Sequence, residues 1–196
     1  MVKIYLSIFF SIISIFNNNP DTIIFKSIEN YLEADIEKIN ILFISIKHQE
    51  LFIIKEKKII KKFKISSSKY GTGSESGSNK TPLGLHSIAR KFGDNTPKNG
   101  RMVGRVFNGD IATIYNDTTR SKTDDITSRI LWLKGEEKGK NNGYNIDSFN
   151  RYIYLHGTSE EGLIGQPASH GCIRLLNKDV IDLYKLVSIG TLVLIL

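Results

Sequence analysis

The pattern of hydrophobic and polar positions begins with an apolar run over residues 4–16, which follows Lys3 and carries no charge. This run is shorter than the roughly 20 residues that a helix needs to cross a bilayer. A basic lead followed by a short apolar run is typical of export signals, so residues 1–19 are predicted to be a signal peptide or an N-terminal anchor. The NNNPDT that follows holds no A-x-A cleavage site, and a buried first element of the fold stays the alternative.

Two patterns of different period follow this run. Residues 20–38 are predicted to form a short helical lead-in, because apolar side chains recur at helical spacing behind Asp21, a residue that can cap a helix. From Ile39 the chain is instead rich in β-branched and aromatic residues, with turn-like breaks near residues 48–50 and 56–58. This second pattern predicts three consecutive strands at the start of an antiparallel β domain.

The remainder of the chain is predicted to form further short strands, with one helix near its end. Turn-forming residues interrupt the apolar runs ATIY and RILWL, and RYIYLHG at 151–157 is the clearest strand because its side chains alternate. NKDVIDLYKLVSIG predicts a helix between an Asn177 cap and a Gly190 stop, and TLVLIL predicts a last strand. Residues 101–150 form a long insertion, either a lid or a plain surface excursion. Its large aromatic residues include Tyr115, Trp132 and Tyr144.

Composition limits the partners without choosing one. A chain of 196 residues that is 40 % hydrophobic suits one ordinary domain with a core of its own. The net charge of +7 suits an anionic partner such as a cell wall, a membrane surface or nucleic acid. The lysines of IIKEKKIIKKFK alternate with apolar residues, which favours a solvated strand face over a nucleic-acid patch, so no nucleic-acid partner is predicted.

The chemistry is concentrated around the single cysteine of the chain. Cys172 ends the sequence SHGC, an HG pair begins at His156, and an arginine follows at Arg174. A thiol attacks as thiolate, so it needs a base or a cationic neighbour, and either His156 or His170 can supply one. The neighbouring glycines leave room for N–H groups that face an oxyanion. A zinc site from the two histidines and the thiol lacks a fourth ligand, so no metal or cofactor is predicted.

The ordered signals TPLG, HGT and GQPASHGCIRL resemble the catalytic domain of the L,D-transpeptidases of the YkuD type, and the likeness covers about residues 39–196. The resemblance implies an antiparallel β-sandwich whose Cys172 attacks the L,D bond between diaminopimelate and D-alanine of a peptidoglycan tetrapeptide stem. D-Alanine leaves and a thioester remains. In this family the upstream histidine, here His156, is the base, and the carbonyl of Gly157 orients its ring. Carbapenems are expected to acylate the same thiol.

The same resemblance assigns roles around the nucleophile. The N–H groups of Gly171 and Cys172 would face the oxyanion, and His170 would shape the catalytic pocket. Arg174 is predicted to bind a substrate carboxylate, with Ser169 on the same substrate side.

Structural alternatives stay open for two of these residues. Arg174 can instead form an ion pair with Asp179 or Asp182 on the following helix. Ser169 can hydrogen-bond within its own turn.

Three functions remain in competition. An amine that attacks the thioester gives L,D-transpeptidation, water gives L,D-carboxypeptidation, and a third hypothesis keeps the fold as a non-catalytic wall-binding domain. The expected partners are peptidoglycan stem peptides, with membrane anchoring through residues 4–16 as an option and no protein partner predicted. The expected location is the periplasm or cell wall.

Overall fold

The computed structural model describes residues 20–196, which fold mainly as β-strands. The mainly β prediction is therefore confirmed. The helices are α1 (Pro20–Leu32) and α2 (Asn177–Leu186), with single 3₁₀ turns at Ile36–Lys38 and Glu161–Leu163. The strands are β1 (Asn40–Ser45), β2 (Glu50–Lys55), β3 (Lys58–Lys64), β4 (Gly84–Phe92), β5 (Gly100–Val103), β6 (Val106–Ile111), β7 (Ile126–Gly135), β8 (Tyr154–Thr158), β9 (Ile173–Leu175) and β10 (Leu192–Ile195).

The ten strands form one hydrogen-bonded sheet. Its order is β3-β2-β1-β10-β4-β7-β5-β6, and β8 branches from β7 to pair with β9. Most pairs are antiparallel, as predicted, whereas β1 with β10 and β8 with β9 run parallel. The last strand lies at the centre of the sheet, with Val193 opposite Leu42 on one side and His86 on the other.

The core explains how one sheet becomes a sandwich. A single apolar cluster contains Leu42 of β1 and Leu51 of β2 together with Leu155 of β8 and Ile173 of β9, which lie at the opposite end of the sheet. Helix α2 packs Leu183 into the same cluster. The sheet therefore curls until its two ends face each other. Strands β8 and β9 pair in parallel at one of these ends, so both begin at the same rim.

Helix α1 covers the outer face of β1, β2 and β10. Its Ile28 is fully buried against Phe43 of β1 and Phe52 of β2. This helix lies where the apolar spacing predicted it. No described helix is long and apolar enough to span a membrane. The signal or anchor predicted for residues 1–19 lies outside the described residues.

Local patterns mispredicted three features. The run ATIY is irregular rather than a strand, and β8 begins only at Tyr154 because Tyr152 has a φ of +57° in the preceding turn. Helix α2 does begin at residue 177, but its cap position is Leu176. Asn177 is buried and its side chain binds the loops beneath the helix, while Glu161 accepts its backbone N–H at 2.7 Å.

The predicted lid range contains a core strand. Strand β7 pairs with β4, β5 and β8, and its Trp132 is buried. Tyr144, by contrast, is fully exposed. The parts of this range that can cover a cleft are therefore the β5–β6 hairpin and the loop of residues 112–125.

Candidate active site

The thiol of Cys172 lies just before β9, at the rim where the parallel strands β8 and β9 begin. Its Sγ is 3.4 Å from the backbone N–H of Tyr154 and 3.4 Å from the carbonyl oxygen of Tyr152, so it both accepts and donates a hydrogen bond. The residue is half-buried. The entry of β8 therefore holds the thiol in place from both sides.

A closed turn presents this thiol. The Ser169 hydroxyl donates to the carbonyl of Cys172 at 2.6 Å and accepts the N–H of Gly171 at 3.2 Å. Gly171 has a φ of +126°, a conformation that favours glycine, and its carbonyl accepts the Thr81 hydroxyl at 3.0 Å. Thr81 belongs to the TPLG motif, so that motif holds the turn from below.

The turn corrects two sequence predictions. Ser169 is only 1 % exposed and its hydroxyl is used within the turn, so it is a structural residue and not a substrate ligand. The N–H of Gly171 is engaged by Ser169, whereas no hydrogen bond is formed by the N–H of Cys172 with the described part of the chain. Of the two predicted oxyanion donors, Cys172 is the one whose N–H is available.

The parallel pairing of β8 with β9 brings His156 beside the nucleophile strand. In that register His156 lies opposite Arg174, and Arg174 follows Cys172 by two residues. Its Nδ1 is 2.7 Å from the carbonyl oxygen of Gly157. A carbonyl only accepts, so Nδ1 carries the proton and Nε2 is left with a free lone pair. A side chain at position 157 would collide with Asn177 and Thr127, which explains why glycine stands there.

Burial keeps both reacting groups neutral. It lowers the pKa of His156 to about 4, although the Gly157 carbonyl and the charge of Asp124 act in the opposite direction. It raises the pKa of the Cys172 thiol to about 11, against the lowering effects of the Tyr154 N–H and of Arg174 and Arg151. The resting site is therefore a thiol with a neutral imidazole, the protonation state that a general base requires.

His170 is the more exposed of the two candidate bases. Its Nδ1 lies 2.7 Å from Asp124 Oδ2, and its ring lies 5.8 Å from that of Tyr70. Its contacts place it on the rim of the site, and its pocket-shaping role stays a prediction. Within residues 20–196, no group of three or more His, Cys, Asp or Glu side chains is arranged to hold a metal ion.

Arg174 does not face substrate, which corrects its predicted role. The side chain is 1 % exposed, and its Nη1 lies 2.7 Å from Glu160 Oε2 while its Nη2 binds Asp124. Neither Asp179 nor Asp182, the alternative partners, takes part. The guanidinium is a buried bridge between two carboxylates from separate loops.

Sequence reasoning missed the residues that surround this bridge. Burial alone would raise the pKa of Asp124, but the charge and hydrogen bond of Arg174 hold it below its usual range. Asp124 has a φ of +46° and ends the loop that crosses the site.

Arg151 is a second residue that the sequence did not indicate. It donates to the carbonyls of Gly73 and Lys80 at 3.2 and 2.7 Å, so it fastens the glycine-rich loop beside the thiol. No short motif marks either residue.

An aromatic cavity lies beside Tyr152 and Tyr154, the two residues whose backbone holds the thiol. Cys172 packs against the cluster around Trp132 and Tyr154, and Trp132 stacks on Phe149 with ring centroids 4.0 Å apart. Beside this cluster lies a cavity of about 220 Å³. It is lined by Met102, Gly104, Arg105, Ile126, Ile130, Tyr152 and Tyr154.

Comparison with known proteins identifies a family. The family model of the YkuD L,D-transpeptidase catalytic domain matches residues 39–195. Two Bacillus subtilis (strain 168) proteins provisionally named L,D-transpeptidases match short stretches. YkuD is 42 % identical over 52 residues, 26 % of this chain and 32 % of its own. YqjB is 39 % identical over 54 residues, 27 % of this chain and 31 % of its own.

The chain thus spans about a third of the length of these curated relatives. A crystal structure of an L,D-transpeptidase from Xylanimonas cellulosilytica DSM 15894 is 19 % identical, with a TM-score of 0.48 over 81 % of this chain and 60 % of the other.

Proposed function

The chain belongs to the YkuD family of L,D-transpeptidase catalytic domains, and from that premise we propose that it forms a thioester between Cys172 and a peptidoglycan tetrapeptide stem and passes the acyl group to an amine. The observation that carries the proposal is the pair of neighbouring parallel strands. They bring a neutral His156, held by Gly157, next to the strand of the chain's only cysteine.

The proposed chemistry starts from a protonated thiol. His156 Nε2 takes the proton of Cys172 as Sγ attacks the carbonyl carbon of diaminopimelate, because a thiol whose pKa is raised to about 11 supplies little thiolate by itself at neutral pH. The imidazolium then gives the proton to the amine of the departing D-alanine. In the second half, the acceptor amine attacks the thioester, loses a proton to His156, and releases the thiol.

The negative oxygen of each tetrahedral intermediate needs a donor that is not already engaged. The N–H of Cys172 meets this condition, since Gly171 donates to Ser169 instead. In this proposal the SHGC turn therefore has two separate tasks. Its serine and glycine fix the turn, and its cysteine supplies both the nucleophile and the oxyanion donor.

The proposed place of action is the cell wall outside the membrane. Membership of the family and the export-type pattern of residues 1–19 support it. The net charge of +7 favours an anionic polymer as the surface on which the enzyme works. Peptidoglycan stems are the proposed partner.

Product analysis tests this function. The full chain and its Cys172→Ala variant are each incubated with disaccharide-tetrapeptides, and the products are measured by mass spectrometry. We expect dimers joined through a tripeptide donor from the wild type alone. Tripeptide monomers without dimers would reassign the enzyme as an L,D-carboxypeptidase. Equal product from both proteins would refute a thioester route.

A carbapenem provides a second readout that needs no acceptor. Incubation with imipenem is expected to add one mass increment to the wild type and none to Cys172→Ala. If both proteins stay unmodified and neither yields product, while both still sediment with cell walls, the wall-binding hypothesis replaces the catalytic one.

A further inference from the structure

The hairpin tip beside the thiol carries an arginine with an unusual set of contacts. Arg105 lies in the turn between β5 and β6 with a φ of +72° and lines the 220 Å³ cavity. Its Nη1 is 3.3 Å from the Tyr154 hydroxyl, and its guanidinium lies 4.9 Å from the ring of Trp132 and 5.7 Å from that of Tyr152. The Phe92 ring lies 6.0 Å from the same guanidinium, so four aromatic side chains surround one cation.

Arg105 has no carboxylate partner in the described part of the chain. Within residues 20–196, Arg105 forms no ion pair, whereas Arg101 pairs with Asp125 and Arg174 pairs with Asp124 and Glu160. Arg105 is half-buried, so water satisfies its donors only in part. A guanidinium that is stacked on aromatic rings keeps its planar edge for bidentate binding of an anion.

The position of Arg105 relative to the thiol is set by one residue. The backbone N–H of Tyr154 is 3.4 Å from Cys172 Sγ, and the hydroxyl of the same tyrosine accepts from Arg105. The guanidinium is therefore one tyrosine side chain away from the nucleophile. A peptide whose scissile carbonyl lies at Sγ has charged groups several bonds further along its chain, and these can extend past Tyr154 into the cavity.

We propose that Arg105 binds a carboxylate of the donor peptide in the cavity beside Cys172 and so selects acidic stems over amidated ones. The proposal rests on the proposed function, and it assigns the β5–β6 hairpin as part of the substrate site. A tetrapeptide stem ending in diaminopimelate and D-alanine offers two such groups, the C-terminal carboxylate and the side-chain carboxylate of diaminopimelate. Either group has the planar, two-oxygen geometry that a guanidinium recognises.

The single tryptophan makes binding measurable without turnover. Trp132 is the only tryptophan of the chain and lies under Arg105, so a carboxylate that draws on the guanidinium is expected to change its fluorescence. The titration uses the Cys172→Ala protein with three tetrapeptides: one unmodified, one with an amidated C-terminus, and one with an amidated diaminopimelate side chain. Arg105→Gln is compared with Arg90→Gln. Arg90 lies 5.7 Å from the same Trp132 ring but does not line the cavity.

We expect Arg105→Gln to weaken binding of the unmodified peptide about 10- to 100-fold, the range for losing a hydrogen bond to a charged group. Amidation of the recognised carboxylate should weaken wild-type binding to a similar extent and should cause no further loss in Arg105→Gln. The amide that has this effect identifies the group. Arg90→Gln should bind all three peptides as the wild type does.

Two results would overturn the proposal. If Arg105→Gln weakens all three peptides equally, the arginine only supports the hairpin, and if it changes none of them, the arginine does not touch substrate. Failure of the proposed function gives a different pattern: no thiol-dependent product forms from any stem, whatever the Arg105 variants show in the titration. Selective binding without turnover would therefore retain the carboxylate site and reject the reaction.

Discussion

The buried bridge of Arg174 yields the sharpest stability prediction. The Arg174→Met substitution replaces the aliphatic stem of arginine by an unbranched apolar side chain and removes the guanidinium between Glu160 and Asp124. Glu160 is 3 % exposed, so its carboxylate would lose its cationic partner without gaining water. Its remaining hydrogen bond is the N–H of Ser121, at 2.6 Å. The variant therefore carries an uncompensated buried charge.

The size of the effect follows from that burial. Removing one partner of a buried ion pair costs about 3–5 kcal/mol of unfolding free energy. For a chain of this length, 1 kcal/mol corresponds to about 2–4 °C in Tm, so the loss is about 6–20 °C. Asp124 adds less, because its side chain is about one third exposed and reaches solvent.

Urea unfolding, followed by Trp132 fluorescence, measures the difference in unfolding free energy between the wild type and Arg174→Met. The double variant Arg174→Met/Glu160→Gln is the matched control. The double variant has no unpaired charge at Glu160, so we expect it to recover at least half of the lost stability. A single variant within 1 kcal/mol of wild type that has lost its activity would refute this reasoning and return Arg174 to the substrate site.

Two further stability predictions concern buried polar side chains. Burial lowers the pKa of both His86 and His156 to about 4, so each contributes stability that is fully present above pH 6.5 and is lost as the pH falls toward 4. A pKa lowered to about 4 is worth about 3 kcal/mol of stability per histidine, and His86→Gln should lose less unfolding free energy than wild type between pH 7 and 4.5 in urea titrations. Asn177→Ala should cost about 2–3 kcal/mol, because Thr158 O and the hydroxyls of Thr127 and Ser128 lose their partner. Exposed Asn108→Ala should cost little, and equal losses would contradict this account of the Asn177 bonds.

The sequence predicted the elements whose signal is local. Alternation and β-branched residues predicted β1 to β3, and helical spacing predicted α1 and α2. The HG pair and the SHGC motif indicated the two strands, β8 and β9, that the fold brings together. These features depend on neighbours within a few positions, so one sequence suffices to find them.

The features that escaped prediction depend on partners far along the chain. Arg174 has its carboxylates 50 and 14 residues away, in loops with no regular pattern. Its motif position suggested substrate contact, while tertiary packing turned it inward. The hairpin tip at Arg105 likewise gains meaning only when β7 and β8 bring Trp132 and Tyr154 beneath it.

The central position of β10 has a consequence for the timing of folding. Strand β1 and strand β4 do not pair with each other, since β10 lies between them, about 150 residues after β1 in the chain. Contacts of such long sequence separation form late and slow the folding of β proteins. The two parts of the sheet cannot join before residues 192–195 have been synthesised. A ribosome-bound chain that is still shorter than this cannot complete the sheet, so its strands β1 and β4 stay without the neighbour that joins them.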